Sequence, residues 1–277
     1  RVLQKAGLPV PRFQLLNSLE ELKNLIPVVQ KTIMGGYDGR GTVILKAEED
    51  LRGALTEPSF VEEYLDLERE LAVLVAKNER GEVVVYDPVE MHFHPEGNLL
   101  DYLICPVNLE KNILEEAKIL ALESINSING IGLFAVELFL DTQGKLYINE
   151  IAPRPHNSGH HTIEACYTSQ FEQHIRVITG LPLGSPKLIS PVVMFNLLGE
   201  KGYKGKPIYE GLDEALRYPG VSVHIYGKKE TFPLRKMGHV TVLGENIKEA
   251  LNLAFKLKNI LKVKGEVKDD EGWNNNG

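Results

Sequence analysis

Residues 133–151 read LFAVELFLDTQGKLYINEI, two apolar runs joined at Gln143-Gly144, which is the pattern of an antiparallel hairpin. With Gln143-Gly144 as a two-residue turn, residues whose numbers sum to 287 face each other, so Glu137 lies directly opposite Glu150. Opposed side chains share a sheet face about 5 Å apart, and like charges there repel. Two readings are open. The pair is either two solvated surface glutamates in a slipped register or two ligands of a divalent cation, whose charge offsets the repulsion. Hard carboxylate oxygens suit Mg²⁺ shared with substrate phosphates. The neighbours Leu133 to Val136, Ile148 and Ile151 imply burial and favour the cation.

Upstream, Ser18 with Glu21 three residues on is a capping-box signature for a helix over 18–26, closed by Pro27. A strand over 27–32, the run Gly35-Gly36-Tyr37-Asp38-Gly39-Arg40-Gly41 and a strand over 42–46 make a hairpin with a glycine-rich tip. Glycine N–H groups there, with Lys31, can converge on a phosphate. The Walker spacing is absent, and taken alone the loop reads as a flexible surface turn; the glutamate pair elsewhere in the chain is what supports the phosphate reading. Strands are expected over 60–64, 69–77 and 82–88, and a helix over 112–129 with Leu114, Ala117, Ala121 and Ile125 on one face.

Downstream, a helix over 170–179 stops at Gly180-Leu-Pro182, and strands are expected over 192–198, 221–226 and 239–243. A last helix starts at Asn246, with Ile247, Ala250, Leu251, Ala254 and Leu261 in one stripe. Hairpin connections dominate, so the fold class is α+β with antiparallel sheets rather than a doubly wound parallel sheet. The expected division is 1–80, 81–190 and 191–265, followed by a polar, disordered tail over 266–277.

The 277 residues, 43% hydrophobic and 25% charged, can bury a sizeable core and exclude wholesale disorder. Thirty-one Lys and Arg against 38 Asp and Glu give a net charge of −7, the wrong sign for nucleic-acid binding, so any anion must be gripped locally. No apolar run has the length of a membrane span, the first eleven residues lack a secretion-signal layout, and Cys105 and Cys166 are too few for a disulfide framework. A cytoplasmic enzyme without a membrane partner is expected.

Three further segments carry candidate chemistry. The stretch Glu62-Glu63-Tyr64-Leu65 offers main-chain groups to a base edge, and Glu70 could accept from ribose hydroxyls, although alone this is a solvated charge run. Residues 149–161, NEIAPRPHNSGHH, form a rigid loop with Arg154, His156 and Asn157 available to a small anion; Pro153, Pro155 and Gly159 argue against a zinc helix. Arg235-Lys236 lies in a compact basic turn that suits a phosphate or plain surface charge.

In this order the motifs GGYDGRG (35–41), VEEYLDLERE (61–70), VELF (136–139), NEIAPRPHNSGHHT (149–162), TSQFEQHIR (168–176), GLPLG (180–184) and YGKKETFPLRKMGHV (226–240) resemble the ATP-grasp superfamily. Within it they resemble the ligases that carboxylate aminoimidazole ribonucleotide in purine biosynthesis. The resemblance implies an ATP-grasp fold, two α+β subdomains clasping ATP, followed by a small β-rich C-terminal domain. It implies that Lys31, Gly36, Tyr37, Asp38, Gly39, Arg40, Gly41 and Thr42 meet the phosphates, Glu62 to Leu65 the adenine, Glu70 the ribose, and His94 and Asn149 the nucleotide site. Glu137 and Glu150 would hold one or two Mg²⁺ ions, Glu150 also lining the nucleotide site. Tyr37, Asp38, Arg40, Arg154, Arg235 and Lys236 would face the acceptor, Arg235 and Lys236 near its phosphate; Arg154, His156 and Asn157 would sit at the bicarbonate end and, with Lys236, make up the catalytic set.

The implied partners are ATP, bicarbonate and aminoimidazole ribonucleotide, with a homodimer when full length. The family also carries an N-terminal Rossmann-like domain of about a hundred residues, and the chain opens at Arg1. The expectation is therefore that it keeps its nucleotide and metal ligands but turns over poorly alone. Alternatives are a formate-dependent glycinamide ribonucleotide transformylase, a biotin-dependent carboxylase subunit, or a nucleotide-binding module without catalysis. The HNSGHHT loop disfavours the first two.

Overall fold

The computed structural model describes residues 1–36, 41–95 and 99–268. After a one-turn helix α1 (Val2–Lys5), a small antiparallel sheet is built from β1 (Phe13–Leu15), β2 (Val28–Thr32), β3 (Thr42–Leu45) and β4 (Ser59–Glu63), in the order β1-β4-β2-β3. Leu22, Val28, Leu45 and Val61 close its core. The helix expected over 18–26 is a 3₁₀ helix, Leu19–Asn24, without the capping box. Glu21 turns back to accept from the Asn17 N–H and Nδ2 instead of the Ser18 amide, so the N-cap Ser18 makes no side-chain cap bond.

The chain then enters a large antiparallel sheet through β5 (Leu67–Lys77), β6 (Val83–Val85), β7 (Val89–Phe93) and β8 (Leu100–Cys105). Helix α2 (Lys111–Ser127), β9 (Gly132–Asp141), β10 (Leu146–Ala152), the short helix α3 (Thr162–Ala165) and α4 (Gln170–Ile178) follow. The last segment holds β11 (Val192–Leu198), β12 (Tyr203–Glu210), α5 (Leu212–Ala215), β13 (Val221–Ile225), β14 (Lys236–Leu243), α6 (Ile247–Ile260) and β15 (Lys262–Lys268). The large sheet runs β10-β9-β5-β7-β8-β11-β14-β13, and every named strand pair of the described residues is antiparallel.

Period-two alternation assigns the two faces of this sheet. Leu71, Val73 and Val75 of β5 and Val136, Leu138 and Leu140 of β9 pack on Ala117, Ala121 and Ile125 of α2. The intervening residues, Glu70, Ala72, Glu137 and Phe139, therefore lie on the face away from α2. Toward the other end of the sheet, Val193, Phe195, Val240 and Val242 pack on Ala250, Ala254 and Leu257 of α6. Asn246 caps α6 by accepting the Glu249 amide at 3.0 Å, as its position before the apolar stripe suggested.

Strands β11, β13 and β14 thus continue the same sheet as 67–152, while β12 and β15 pair apart as a two-stranded sheet, and the boundary expected at residue 80 falls after β5, which belongs to the large sheet. The strand expected over 82–88 is only Val83–Val85, because Pro88 separates it from β7. Strands β1, β7, β8, β12 and β15 escape a reading by apolar runs. β12 contains Gly205 and Pro207, and the ladder to β15 shifts between Lys204 and Pro207 to accommodate them. β15 reaches Lys268, so residues 266–268, expected in the tail, are strand; residues 269–277 lie outside the described residues. Among the described residues no helix is long and apolar enough to cross a membrane.

Leu138 is fully buried against α2, so Leu138→Ala should destabilise the chain by about 2–5 kcal/mol in urea unfolding. The same change at Leu19, 43% exposed, should stay within about 0.5 kcal/mol.

Candidate functional site

The carboxylate pair is assembled by a turn and a bulge acting together. The hairpin tip is Thr142-Gln143-Gly144 rather than two residues: Asp141 accepts the Gln143 and Lys145 amides at 2.9 Å each, and Gly144 takes φ +81°. This sets partners that sum to 286 (Leu140 with Leu146, Leu138 with Ile148), a register that would oppose Glu137 with Asn149. A bulge at Asn149 then shifts the ladder, and Glu150 pairs with Glu137 as the sequence suggested. The bulge is required by parity. Glu150 is in phase with Leu146 and Ile148, both buried in the α2 core, and strict alternation would send its carboxylate there too.

Glu137, Glu150 and Asn149 line a cavity of about 620 Å³ between the two sheets. The Glu137 side chain is 12% exposed. Burial, then the charge of Glu150, then that of Glu70, push its carboxyl up to about 8. Glu70 on β5 reaches the same cavity, and burial raises it to about 7 against the pull of His92 and Lys31. Glu150 itself is exposed, whereas the burial expected of the pair holds for Glu137. Two raised carboxyls beside a third carboxylate fit a divalent cation, which would favour the charged forms of Glu137 and Glu70, and oxygen donors suit Mg²⁺.

His156 comes within the same cluster: its Nε2 is 3.6 Å from Glu137 Oε1, and ligand atoms of Glu137, Glu150 and His156 lie within 4.8 Å of one another. Its tautomer points to another role. The Ser158 N–H, which can only donate, lies 3.3 Å from His156 Nδ1, and the Ser158 hydroxyl, which can donate or accept, lies 2.9 Å from it; with the N–H bond made, the neutral ring carries its hydrogen on Nε2. That nitrogen is then a donor toward a carboxylate or a bound anion rather than a metal ligand. Beside it, Asn157 also lines the cavity, and its Nδ2 is buried without a hydrogen-bond partner among the described residues. An orphaned donor in a polar cavity is the signature of a ligand position. Lys236, the first residue of β14, completes this wall.

On the small sheet, Lys31 spans the cavity: its Nζ is 2.7 Å from Glu62 Oε2 and 2.8 Å from Asn149 Oδ1 on the large sheet. Gly36, Gly41 and Thr42 line the same end. Gly41 takes φ +79°, and a Cβ there would lie 2.3 Å from Thr32 Oγ1. Tyr37, Asp38, Gly39 and Arg40 lie outside the described residues.

Glu63, Tyr64 and Leu65 also line the cavity, but the Glu63 carboxylate is bound to Arg12 through Nε at 2.7 Å and the backbone N–H at 2.8 Å. The structure does not bring His94, Arg154 or Arg235 to the cavity lining. Alternation explains two of them, since Phe93 and Lys236 point in and their neighbours His94 and Arg235 do not. Arg235 instead donates to the Glu230 carbonyl at 2.8 Å and lies over the Phe232 ring. Arg154 follows the end of β10 and is exposed, donating to the Pro155 carbonyl. Met91 and Phe139, apolar walls beside Glu70, were missed. Phe139 stands two residues beyond Glu137 on the same face, a signal the sequence carried, and both pair with Glu70 in the ladder.

Residues 1–171 match the ATP-grasp domain family, and residues 192–253 match the phosphoribosylaminoimidazole carboxylase C-terminal domain. The chain is 40% identical over 252 residues to the N5-carboxyaminoimidazole ribonucleotide synthase of Bacillus subtilis, covering 88% of this chain and 64% of that protein. It is 38% identical to a chloroplastic phosphoribosylaminoimidazole carboxylase of Vigna aconitifolia, 48% of which it covers. The chain thus spans less than two thirds of the length of these curated relatives. Among solved structures it resembles the N5-carboxyaminoimidazole ribonucleotide synthetase of Thermotoga maritima, with a TM-score of 0.88 and 49% identity over 96% of this chain and 71% of that one. It also resembles an Aspergillus clavatus enzyme solved with ADP and aminoimidazole ribonucleotide, with a TM-score of 0.82 and 30% identity over 93% and 70% of the two chains.

The raised carboxyl of Glu137 sets a pH dependence. Its ordinary value is 4.5 and its folded value about 8, so between them the folded chain keeps a proton that the unfolded chain has released. The stability it contributes is full below 4.5 and is lost as pH rises through 8. In thermal scans without divalent cations the midpoint should fall from about pH 5 to about pH 8. Glu137→Gln should fall less and be the more stable protein at the high end, and Mg²⁺ should raise the wild-type midpoint most there.

Proposed function

The chain belongs to the ATP-grasp family, on the branch of the N5-carboxyaminoimidazole ribonucleotide synthetases, and from that membership we propose that it carboxylates aminoimidazole ribonucleotide at the expense of ATP. The observation that carries this reading is the opposed pair Glu137 and Glu150 beside the orphaned Asn157 donor in one cavity. The first two suit a cation-bound polyphosphate and the last a small oxyanion. In the reaction, bicarbonate oxygen attacks the γ-phosphorus of ATP, giving ADP and carboxyphosphate. The exocyclic amine of the acceptor then attacks the carboxyl carbon, inorganic phosphate leaves, and the amine proton is lost to give the carbamate.

Glu137 and Glu150 would hold one or two Mg²⁺ ions, which supply charge neutralisation during phosphoryl transfer. Lys31 would exchange Glu62 for a phosphate oxygen, assisted by the Gly36 to Thr42 loop. Glu70, Met91 and Phe139 would enclose the nucleoside, with main-chain groups of residues 62–65 at the base. His156 Nε2–H, Asn157 Nδ2 and Lys236 would donate to bicarbonate and to the charge that develops on it. Tyr37, Asp38 and Arg40 are assigned to the acceptor on the family resemblance alone. Arg154 and Arg235 would need to reorient to reach the cavity. We place the enzyme in the cytoplasm, as a homodimer when full length, with no nucleic-acid or membrane partner.

The test is ADP release from Mg·ATP and bicarbonate, with and without aminoimidazole ribonucleotide. It is run on this chain and on the chain completed with the segment of the Thermotoga maritima relative that the match leaves out. Acceptor-stimulated release that falls about 100-fold or more in Glu137→Gln is expected. No stimulation in either form would overturn the substrate assignment.

A further inference from the structure

Helix α4 opens with a glutamine that the proposed chemistry leaves without a role. Gln170 is fully buried. Its Oε1 accepts the His156 N–H at 2.8 Å, and its Nε2 donates to the His156 carbonyl at 2.8 Å and lies 2.9 Å from His160 Nδ1. The carboxamide therefore pairs with the His156 peptide as a neighbouring strand would, in a loop that has no strand beside it. The support behind it is continuous: the Gln170 N–H donates to Thr162 Oγ1 at 2.8 Å, and that hydroxyl donates to the Gly159 carbonyl at 2.6 Å. Gly159 is small of necessity, since a Cβ there would stand 2.3 Å from Gln170 Oε1.

We infer that Gln170 is a positioning residue: by clamping both main-chain groups of His156 it holds the imidazole Nε2 against Glu137 and the cavity. Ser158 holds the ring end at Nδ1 and Gln170 the backbone end, so His156 is tied at both ends. Only a neutral side chain with a donor and an acceptor side by side can do this. Glutamate keeps the acceptor, but with its second oxygen it faces the His156 carbonyl. Leucine leaves two buried backbone groups unpaired.

The same helix supplies its own control. Gln173, equally buried, accepts the Gly184 N–H at 2.8 Å and donates to the Gly184 carbonyl at 3.1 Å. The device is identical, one turn further on, but the loop it holds carries no residue that lines the cavity. A role in folding alone would make the two glutamines equivalent.

The experiment compares Gln170→Leu, Gln170→Glu and Gln173→Leu in the completed protein by two measurements. One is the imidazole ¹⁵N–¹H spectrum, with the His156 signals assigned by their loss in His156→Gln. The other is the split of kcat and KM for bicarbonate and for Mg·ATP. The inference rests on the proposed carboxylation for the kinetic measurement only. Gln170→Leu should shift or split the His156 signals and lower kcat/KM for bicarbonate by about 10- to 100-fold, with the KM for Mg·ATP changed less than about two-fold. Gln170→Glu should show the same displacement, relieved as pH falls and its carboxyl regains a donor proton. Gln173→Leu should lose thermal stability like Gln170→Leu while leaving the His156 signals and the bicarbonate kinetics at wild-type values.

Equal kinetic losses in the two leucine variants, or His156 signals unmoved by Gln170→Leu, would overturn the inference. If Gln170→Leu does not fold, the isosteric Gln170→Glu decides by the same two readings. If the wild type shows no bicarbonate-dependent ADP release, the functional reading falls, and the imidazole spectra alone decide whether Gln170 positions His156.

Discussion

Two carboxylates held opposite each other on adjacent strands repel, and burial makes Glu137 harder to ionise, so a sheet that carries such a pair near its edge must obtain its stability elsewhere. Here it comes from the other face of the same strands. Leu71, Val73, Val136 and Leu138 are fully buried against α2, directly behind Glu70 and Glu137. The alternation of a strand thus puts the least favourable and the most favourable burial in the molecule one residue apart. A rigid apolar floor also fixes where the carboxylate oxygens stand, which is what a cation of strict geometry requires.

The cavity owes its shape to the presence of two sheets rather than one. The small sheet contributes Lys31, Thr42 and Glu62, the large sheet Glu70, Glu137 and Glu150, and the loop after β10 adds His156 and Asn157. Positive and negative groups face each other across the gap. Each wall is stabilised by its own core, so the charged side chains between them need not contribute to folding. That division leaves the site free to hold groups, such as the orphaned Asn157 amide, that would be liabilities in a core.

Much of this was legible in the residues. The hairpin, the opposed glutamates, α2 and α6 follow from periodicity, and the motif order carried the family. What escaped has local physical causes. The capping box at Ser18 failed because Asn17 offered Glu21 a nearer partner. Gln143-Gly144 is the shorter turn compatible with the two apolar runs, and only the clash of phase between Ile148 and Glu150 discloses the three-residue tip and its bulge. The family resemblance assigns Arg154, Arg235 and His94 to the site, whereas strand alternation turns the last two aside and the exposed end of β10 releases Arg154. The Gln170 and Gln173 clamps were invisible because their partners are backbone groups fourteen and eleven residues away, and no side-chain pattern announces a main-chain acceptor.

The bond from Lys31 to Glu62 has a consequence for traffic through the site. In the proposed reaction a phosphate arriving at Lys31 would replace an anion that is already there, so the local charge count would be nearly unchanged and the gain would be the difference between two ion pairs. The displaced partner is tethered to the neighbouring strand rather than lost to solvent. On departure of a product, Glu62, whose Oε2 stands 2.7 Å from the Lys31 ammonium in this structure, would be at hand to recapture it, easing release and lowering the affinity for casual anions alike. The resident carboxylate would then work as a turnstile, weakening holding and quickening exchange.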